Sequence, residues 1–350
     1  MEKERKRNQR ILGVGFALLL CSGVLQILAR YIQGFSNWYG SHVYPVLVKG
    51  LGGLMGVFPF SAAEAGLYIF GIVCIVYGIM FIRQPARLAA RAVCLAGLLL
   101  FSYTACCGVN YHRQPFSVYA RIKRRESSVE ELKDLCRYLT EQVNLCSEMA
   151  GKRISIEEYN RFGVEAMRKL GTEYLVLGGF YPKPKALKHS WILSVQQLAG
   201  IYSPFTIEAN YNQDMIAYNI PHTICHELSH LKGFMREDEA NFIGYLACLG
   251  SDQAEFSYSG YLMGWIYAGN ALAAEDLDAY IELYGKLDEK VKKDLRDNNR
   301  FWDKYEGKVA EAADKVNDTY LKLNGQEDGV KSYGRVVDLM LAHYRSVRKP

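Results

Sequence analysis

Three uncharged apolar stretches in the first third of the chain, 11–29, 65–82 and 92–109, constrain the fold more than any other feature. Each has 18 or 19 residues, enough at ~1.5 Å per residue to cross a hydrocarbon core of roughly 30 Å. No water reaches the backbone there, so its polar groups must pair within the segment, and each stretch is expected to be a transmembrane helix. The first follows the basic run Lys3, Arg5, Lys6, Arg7 and Arg10. It is long for a cleaved signal peptide, lacks an obvious small-x-small cleavage site and is followed by two more spans, so it reads as a retained anchor. None of the three contains Asp, Glu, Lys, Arg or His, the residues that mark ion or proton paths, and the spans read as a tether.

Charge sets the expected topology. Arg83, Arg87 and Arg91 lie between the second and third stretches, whereas 30–64 holds only Arg30 and Lys49 as cations. The positive-inside rule places the N-terminus and the second loop in the cytoplasm, and residues 112–350 outside, in a multi-pass protein of the cell membrane. Segment 32–62, with Trp38, Tyr39, Tyr44, Phe58 and Phe60, is expected along the outer interface, where aromatic rings prefer to sit. Residues 1–111 carry a net charge of +7 and residues 112–350 carry −2. The outer part therefore lacks the basic face of a nucleic-acid protein. Of nine cysteines, Cys136, Cys146, Cys225 and Cys248 fall outside the spans. No CxxC occurs, which argues against a zinc ribbon or redox motif, and spacing assigns no disulfide.

Residues 112–350 read as mainly α with a small β region. Ser127 and Ser128 with Glu130 and Glu131 following, and Ser155 before Glu158, are helix-start signatures leading into 132–149 and a second helix that Gly171 can close. Between 172 and 220 the pattern changes: 174–177, 205–212 and 215–219 read as short extended pieces among Gly178, Gly179, Pro182 and Pro184. Lys183, Lys185 and Lys188 read as a solvated loop. Helical periodicity then spans 222–232, 237–250, 252–273, 276–295, 297–323 and 333–347. The apolar segment 260–274 is too short for a fourth span and reads as a core helix.

One motif carries chemistry: His226-Glu227-Leu228-Ser229-His230. Histidines four apart share a helix face, so both imidazoles can reach one metal at about 2.0–2.1 Å. Glu227 beside them suits a base that takes a proton from metal-activated water. Pro221 fits the first turn of this helix and Gly233 its end. A second helix opens on Glu237, Asp238 and Glu239, giving Glu237 as the third ligand and Glu239 as the reserve, with the fourth position left to water. His222 would extend the histidine stripe, but a helix sets it about 12 Å from His230, too far to share an ion. It reads as a pocket-wall residue or a helix-start contact. Tyr218, Tyr258, Tyr261 and His222 remain open as oxyanion or substrate contacts.

The pattern Glu237-x-x-Ala240-Asn241 resembles the ExxA[DN] signature of thermolysin-like gluzincins. That resemblance implies zinc ligation by Glu237 and a hydrogen bond from Asn241 to His226 or His230. Six residues separate His230 from Glu237, far fewer than in gluzincins. The layout HExxHxxG also resembles metzincins, but their third ligand would fall at Arg236, a cation. A wider resemblance rests on Ser203-Pro204-Phe205-Thr206-Ile207-Glu208-Ala209-Asn210, the HExxH segment, Glu237-Asp238-Glu239-Ala240-Asn241-Phe242, Tyr320-Leu321-Lys322, Gly329-Val330-Lys331-Ser332-Tyr333, and Asn110-Tyr111 after the third span. By these residues the chain is similar to the domain of unknown function 3810 family, over nearly its whole length.

The expected architecture is three transmembrane helices and a zincin-like helical domain with a short edge-strand region before the HExxH helix. The expected function is that of a membrane-anchored metallopeptidase with one Zn2+ per chain, Glu227 as general base, and a peptide or protein substrate aligned along 205–212 or 215–219. Its partners would be that substrate and the lipid bilayer, with no nucleic acid; oligomeric state is not encoded legibly. The rival reading is a non-catalytic, membrane-bound zinc sensor or scaffold. An intramembrane protease is disfavoured, because Asp214, Lys232, Arg236 and Asp238 around the motif would be costly in lipid.

Overall fold

The computed structural model describes residues 2–123, 125–152, 154–324 and 334–348. Three quarters of the chain, 75%, is helical and 3% is strand, so the fold is mainly α with a small β region. It divides into two units, Met1–Gln114 with Ser203–Glu208, and Pro115–Tyr202 with Ala209–Pro350.

In the first unit, α1 (Glu2–Tyr31), α2 (Ala62–Phe81) and α3 (Pro85–Cys106) contain the three apolar stretches. All three are long and apolar enough to cross a membrane. No residue of α2 is buried, and Leu67, Ile72 and Ile79 are 62, 62 and 70% exposed. Water does not tolerate so large a continuous apolar surface; lipid does. Helix α3 starts earlier than the sequence suggests, because Pro85 needs no N–H in a first turn. Arg87 and Arg91, expected in a loop, therefore sit on α3, where Arg87 lies 3.5 Å from the ring centroid of Phe81 and Arg91 donates to Asn8 at 2.9 Å. Segment 32–62, expected along the outer interface, is largely helical over Phe35–His42, Tyr44–Leu47, Val48–Gly52 and Gly53–Gly56. Tyr39 and Tyr44 are buried, Tyr39 donating to the Ala105 carbonyl at 2.9 Å, while Trp38, Phe58 and Phe60 stay exposed.

In the second unit, α4 (Val129–Met149) and α5 (Ile156–Glu173) both begin on capping boxes, Ser128 with Glu131 and Ser155 with Glu158. Each pair satisfies two end N–H groups reciprocally. Gly171 does not end α5 but lies inside it. Residues 174–177 are a tight 3-10 turn rather than a strand, because the Tyr174 N–H still bonds the Leu170 carbonyl at 2.9 Å. The strands β1 (Lys185–Ala186), β2 (Gly200–Ser203) and β3 (Glu208–Tyr211) form a sheet in the order β1-β3-β2, with β1 parallel to β3. All four residues of β3 are buried, as suits a central strand, and β2 is an edge. Residues 215–219, expected to be extended, turn into the next helix. Lys185 is buried on β1 rather than solvated, while Lys183 and Lys188 are exposed.

Helices α6 (Asn219–Leu231), α7 (Glu237–Leu249), α8 (Ala254–Glu275), α9 (Leu277–Gly285), α10 (Glu289–Asp303), α11 (Lys308–Leu323) and α12 (Gly334–Arg348) follow. The two long helices expected over 276–295 and 297–323 are each interrupted, the second beside Gly307 at φ +146°. Segment 260–274 lies within α8, whose Leu262, Trp265, Ala268 and Leu272 are core residues. The string 329–333, and Tyr333 at the expected start of the last helix, lie outside the described residues. Helix α6 packs against α5, α7 and α8, and every residue of it except His226 is buried. The polar motif therefore sits on the most enclosed helix of its unit.

Candidate metal centre

Helix α6 stops where Gly233 takes φ +85°, a left-handed conformation that ends helices and that glycine adopts without strain. Its N–H bonds the His230 carbonyl at 2.8 Å, and the Phe234 N–H bonds that of Ser229 at 3.2 Å. This turn brings the Phe234 carbonyl back to His230, whose Nδ1 donates to it at 2.8 Å. Arg236 is extended and α7 begins at Glu237, so the first turn of α7 meets the last turn of α6. Gly244 lets the two helices close: a Cβ there would stand 3.2 Å from the His222 carbonyl and the His226 nitrogen.

This arrangement gathers His226, His230 and Glu237, each offering one donor atom, all within 4.8 Å of one another. The two Nε2 atoms are 3.0 Å apart. Glu237 Oε2 is 3.3 Å from His226 Nε2, and its Oε1 is 3.5 Å from His230 Nε2. Donors at about 2.0–2.1 Å on the corners of a tetrahedron are separated by about 3.3 Å, so the spacing fits zinc. The outer nitrogens are occupied: His226 Nδ1 donates to Asn241 Oδ1 at 2.8 Å, and His230 Nδ1 to Phe234. Both Nε2 atoms are thereby turned inward, the arrangement that metal-binding histidines require. The side chains of His226 and Glu237 keep 13 and 20% exposure, so the cluster reaches solvent on one side.

The electrostatics are those of one proton held among three groups. Burial disfavours the His226 cation, but the hydrogen bond and charge of Glu237, helped by Glu227 and Asn241, push it up to about 9. Burial and the neighbouring His226 charge hold His230 down at about 4 despite Glu237, leaving its Nε2 free to accept from His226. Glu237 is buried, yet the two imidazoles bring it down to about 2. Glu227 is pushed up to about 8, first by burial and then by Glu237, against the pull of His226. Its Oε2 has no hydrogen-bond partner among the described residues. An unsatisfied buried carboxyl is costly in an ordinary core. Gly200 on β2 walls it in: a Cβ there would lie 2.5 Å from Glu227 Oε1.

The other candidates are engaged elsewhere. Glu239 is buried and its Oε1 accepts from the Phe116 N–H at 2.9 Å. Buried His222 hydrogen-bonds the Asn241 carbonyl through Nε2 at 3.1 Å, and burial with the His226 charge lowers it to about 3. Tyr258 donates to Asp294 at 2.7 Å, and the Tyr261 hydroxyl lies 3.5 Å from that of Tyr138. Tyr218 is buried beside Tyr258 with its hydroxyl unpartnered among the described residues. Sequence reasoning missed Tyr267, whose hydroxyl donates to Asn241 Oδ1 at 3.1 Å, and Gly200. Neither belongs to the motif, and no local pattern announces them. The Phe234 carbonyl was reachable in principle from the turn at Gly233. All nine cysteines are free thiols, with the sulfurs of Cys225 and Cys248 4.0 Å apart.

Three apolar helices, together with a helical unit whose central pair of helices gathers two imidazoles and a carboxylate, define a membrane protein with a candidate metal centre. The chain belongs to the family described as protein of unknown function (DUF3810), whose model matches residues 39–341. No curated protein and no solved structure matches it.

Proposed function

We propose that the protein is a membrane-anchored zinc metallopeptidase, with its N-terminus in the cytoplasm and residues 112–350 outside the cell membrane. The observation that carries this reading is the buried, unsatisfied Glu227 carboxyl on the same helix as two inward-facing imidazoles. A scaffold that kept zinc for shape alone would have no use for such a carboxyl. His226, His230 and Glu237 would hold one zinc, which would supply Lewis acidity and lower the pKa of coordinated water toward ~7. Asn241 and the Phe234 carbonyl fix the two imidazoles, and Glu227 takes up and returns a proton at its carboxylate. Burial by α5, α7 and α8 excludes bulk water from the inner side. An extended peptide would pair with β2, the edge strand that passes Glu227 at Gly200, rather than with the central β3.

The reading is tested by incubating the full chain in detergent with a peptide library, with and without a chelator of divalent metals. Cleavage abolished by chelator and restored by zinc supports it; no cleavage by zinc-loaded protein removes it. A reporter fused to the C-terminus tests the orientation, and a cytoplasmic signal there would overturn it.

Two more outcomes are expected of this site. With His226 protonated up to about 9, zinc must displace a proton from its Nε2. Binding at pH 7 should release about one proton per zinc, and apparent affinity should rise about tenfold per pH unit until ~9 and then level off. Titration calorimetry in buffers of different ionisation enthalpy reads this, and an affinity flat between pH 6 and 8 contradicts it. Gly200→Ala would push a methyl to 2.5 Å from Glu227 Oε1. Displacing the carboxylate should lower peptide hydrolysis by up to about a hundredfold, with zinc affinity unchanged.

A further inference from the structure

The side chain that orients His226 is a carboxamide, and a carboxamide has two chemically opposite ends. With Oδ1 toward His226 it accepts from Nδ1–H, so that Nε2 is the nitrogen left to give up its proton and take a metal. Turned over, its NH2 would donate to Nδ1, the ring proton would move to Nε2, and the metal-binding lone pair would be lost. The fold has to hold one face. Asn241 is 4% exposed, and its Nδ2 makes no hydrogen bond among the described residues, so nothing anchors the amide from that end. Oδ1 receives two donors, His226 Nδ1 at 2.8 Å and the Tyr267 hydroxyl at 3.1 Å. Tyr267 belongs to α8, a third helix outside the pair that supplies the ligands. Its ring also lies 6.0 Å from that of His222, whose Nε2 bonds the Asn241 backbone carbonyl, so both ends of the Asn241 residue are tied to the same wall.

We infer that Tyr267 is a positioning residue: its hydroxyl pins the Asn241 amide with Oδ1 on His226 and so holds His226 in the tautomer that can bind a metal. Resting on the metal-binding reading above, this extends the site to α8 and explains why an Asn serves where an aspartate would need no such restraint. A carboxylate presents an acceptor whichever way it turns.

The test is a double-mutant cycle on the full chain in detergent, with Co2+ as the probe and its visible absorption as the readout. Tyr267→Phe should weaken Co2+ binding about tenfold, the lower end of what removing a ligand's supporting hydrogen bond does. In the Asn241→Asp background the same Tyr267→Phe change should have an effect within about twofold, because the carboxylate cannot turn a donor toward His226. Equal affinity in Tyr267→Phe and wild type overturns the inference. So does a loss just as large in the Asp background, which would mean that Tyr267 acts only through packing. If wild type binds no Co2+ at all, the metal reading itself fails and the inference falls with it, a result distinct from the other two.

Discussion

Glu227→Gln should leave zinc bound and lower peptide hydrolysis by about a thousandfold, within the 10²–10⁴ range of a lost general base. Glu227 is not one of the three clustered donors, so the substitution does not touch the ligand set. The carboxyl is buried and, in the metal-free chain, held protonated up to about 8, chiefly by burial. A neutral amide of the same shape therefore replaces a group that is largely neutral at pH 7, and folding stability should change little. This separates chemistry from folding more cleanly than an alanine would, since Ala would leave a cavity against Gly200. Zinc content and kcat measured on one preparation read the outcome. Bound zinc with undiminished kcat would show that Glu227 moves no proton in the reaction.

The second large effect is at the third ligand. Glu237→Gln should weaken zinc binding by more than about a hundredfold, beyond the 10–100-fold cost of losing a ligand's supporting hydrogen bond. It should also change how binding depends on pH. Glu237 is the chief group that raises His226 against burial. Without its charge the His226 pKa falls, less of its proton remains for zinc to displace at pH 7, and proton release on binding shrinks. Glu239→Gln is the control: its carboxylate caps the Phe116 N–H, so a loss there should appear in thermal stability and not in zinc affinity. A matching loss of zinc in both variants would assign the third ligand wrongly.

The parts of this structure legible in the sequence are those governed by short-range rules. Uncharged runs of 18 or 19 residues mark the three spans, and Ser-x-x-Glu marks the starts of α4 and α5. His226 and His230 fall on one face because the helical period places them there, and the turn at Gly233 returns the chain to Glu237. What could not be read depends on partners distant in sequence. Whether 205–212 is edge or centre depends on β1 and β2, which carry weak strand signals of two and four residues. Tyr39 and Tyr44 are buried by helices that the sequence does not place beside them. Tyr258, Tyr261 and Tyr267 lie on the same helix, and only tertiary packing decides which hydroxyl reaches Asn241.

X-ray absorption at the zinc edge of the loaded full chain tests the site most directly. Two imidazole nitrogens, one carboxylate oxygen and one solvent oxygen at about 2.0–2.1 Å are the expected shell. A shell closed by four protein ligands, or a chain that takes up no zinc, would contradict a catalytic centre built on His226, His230 and Glu237.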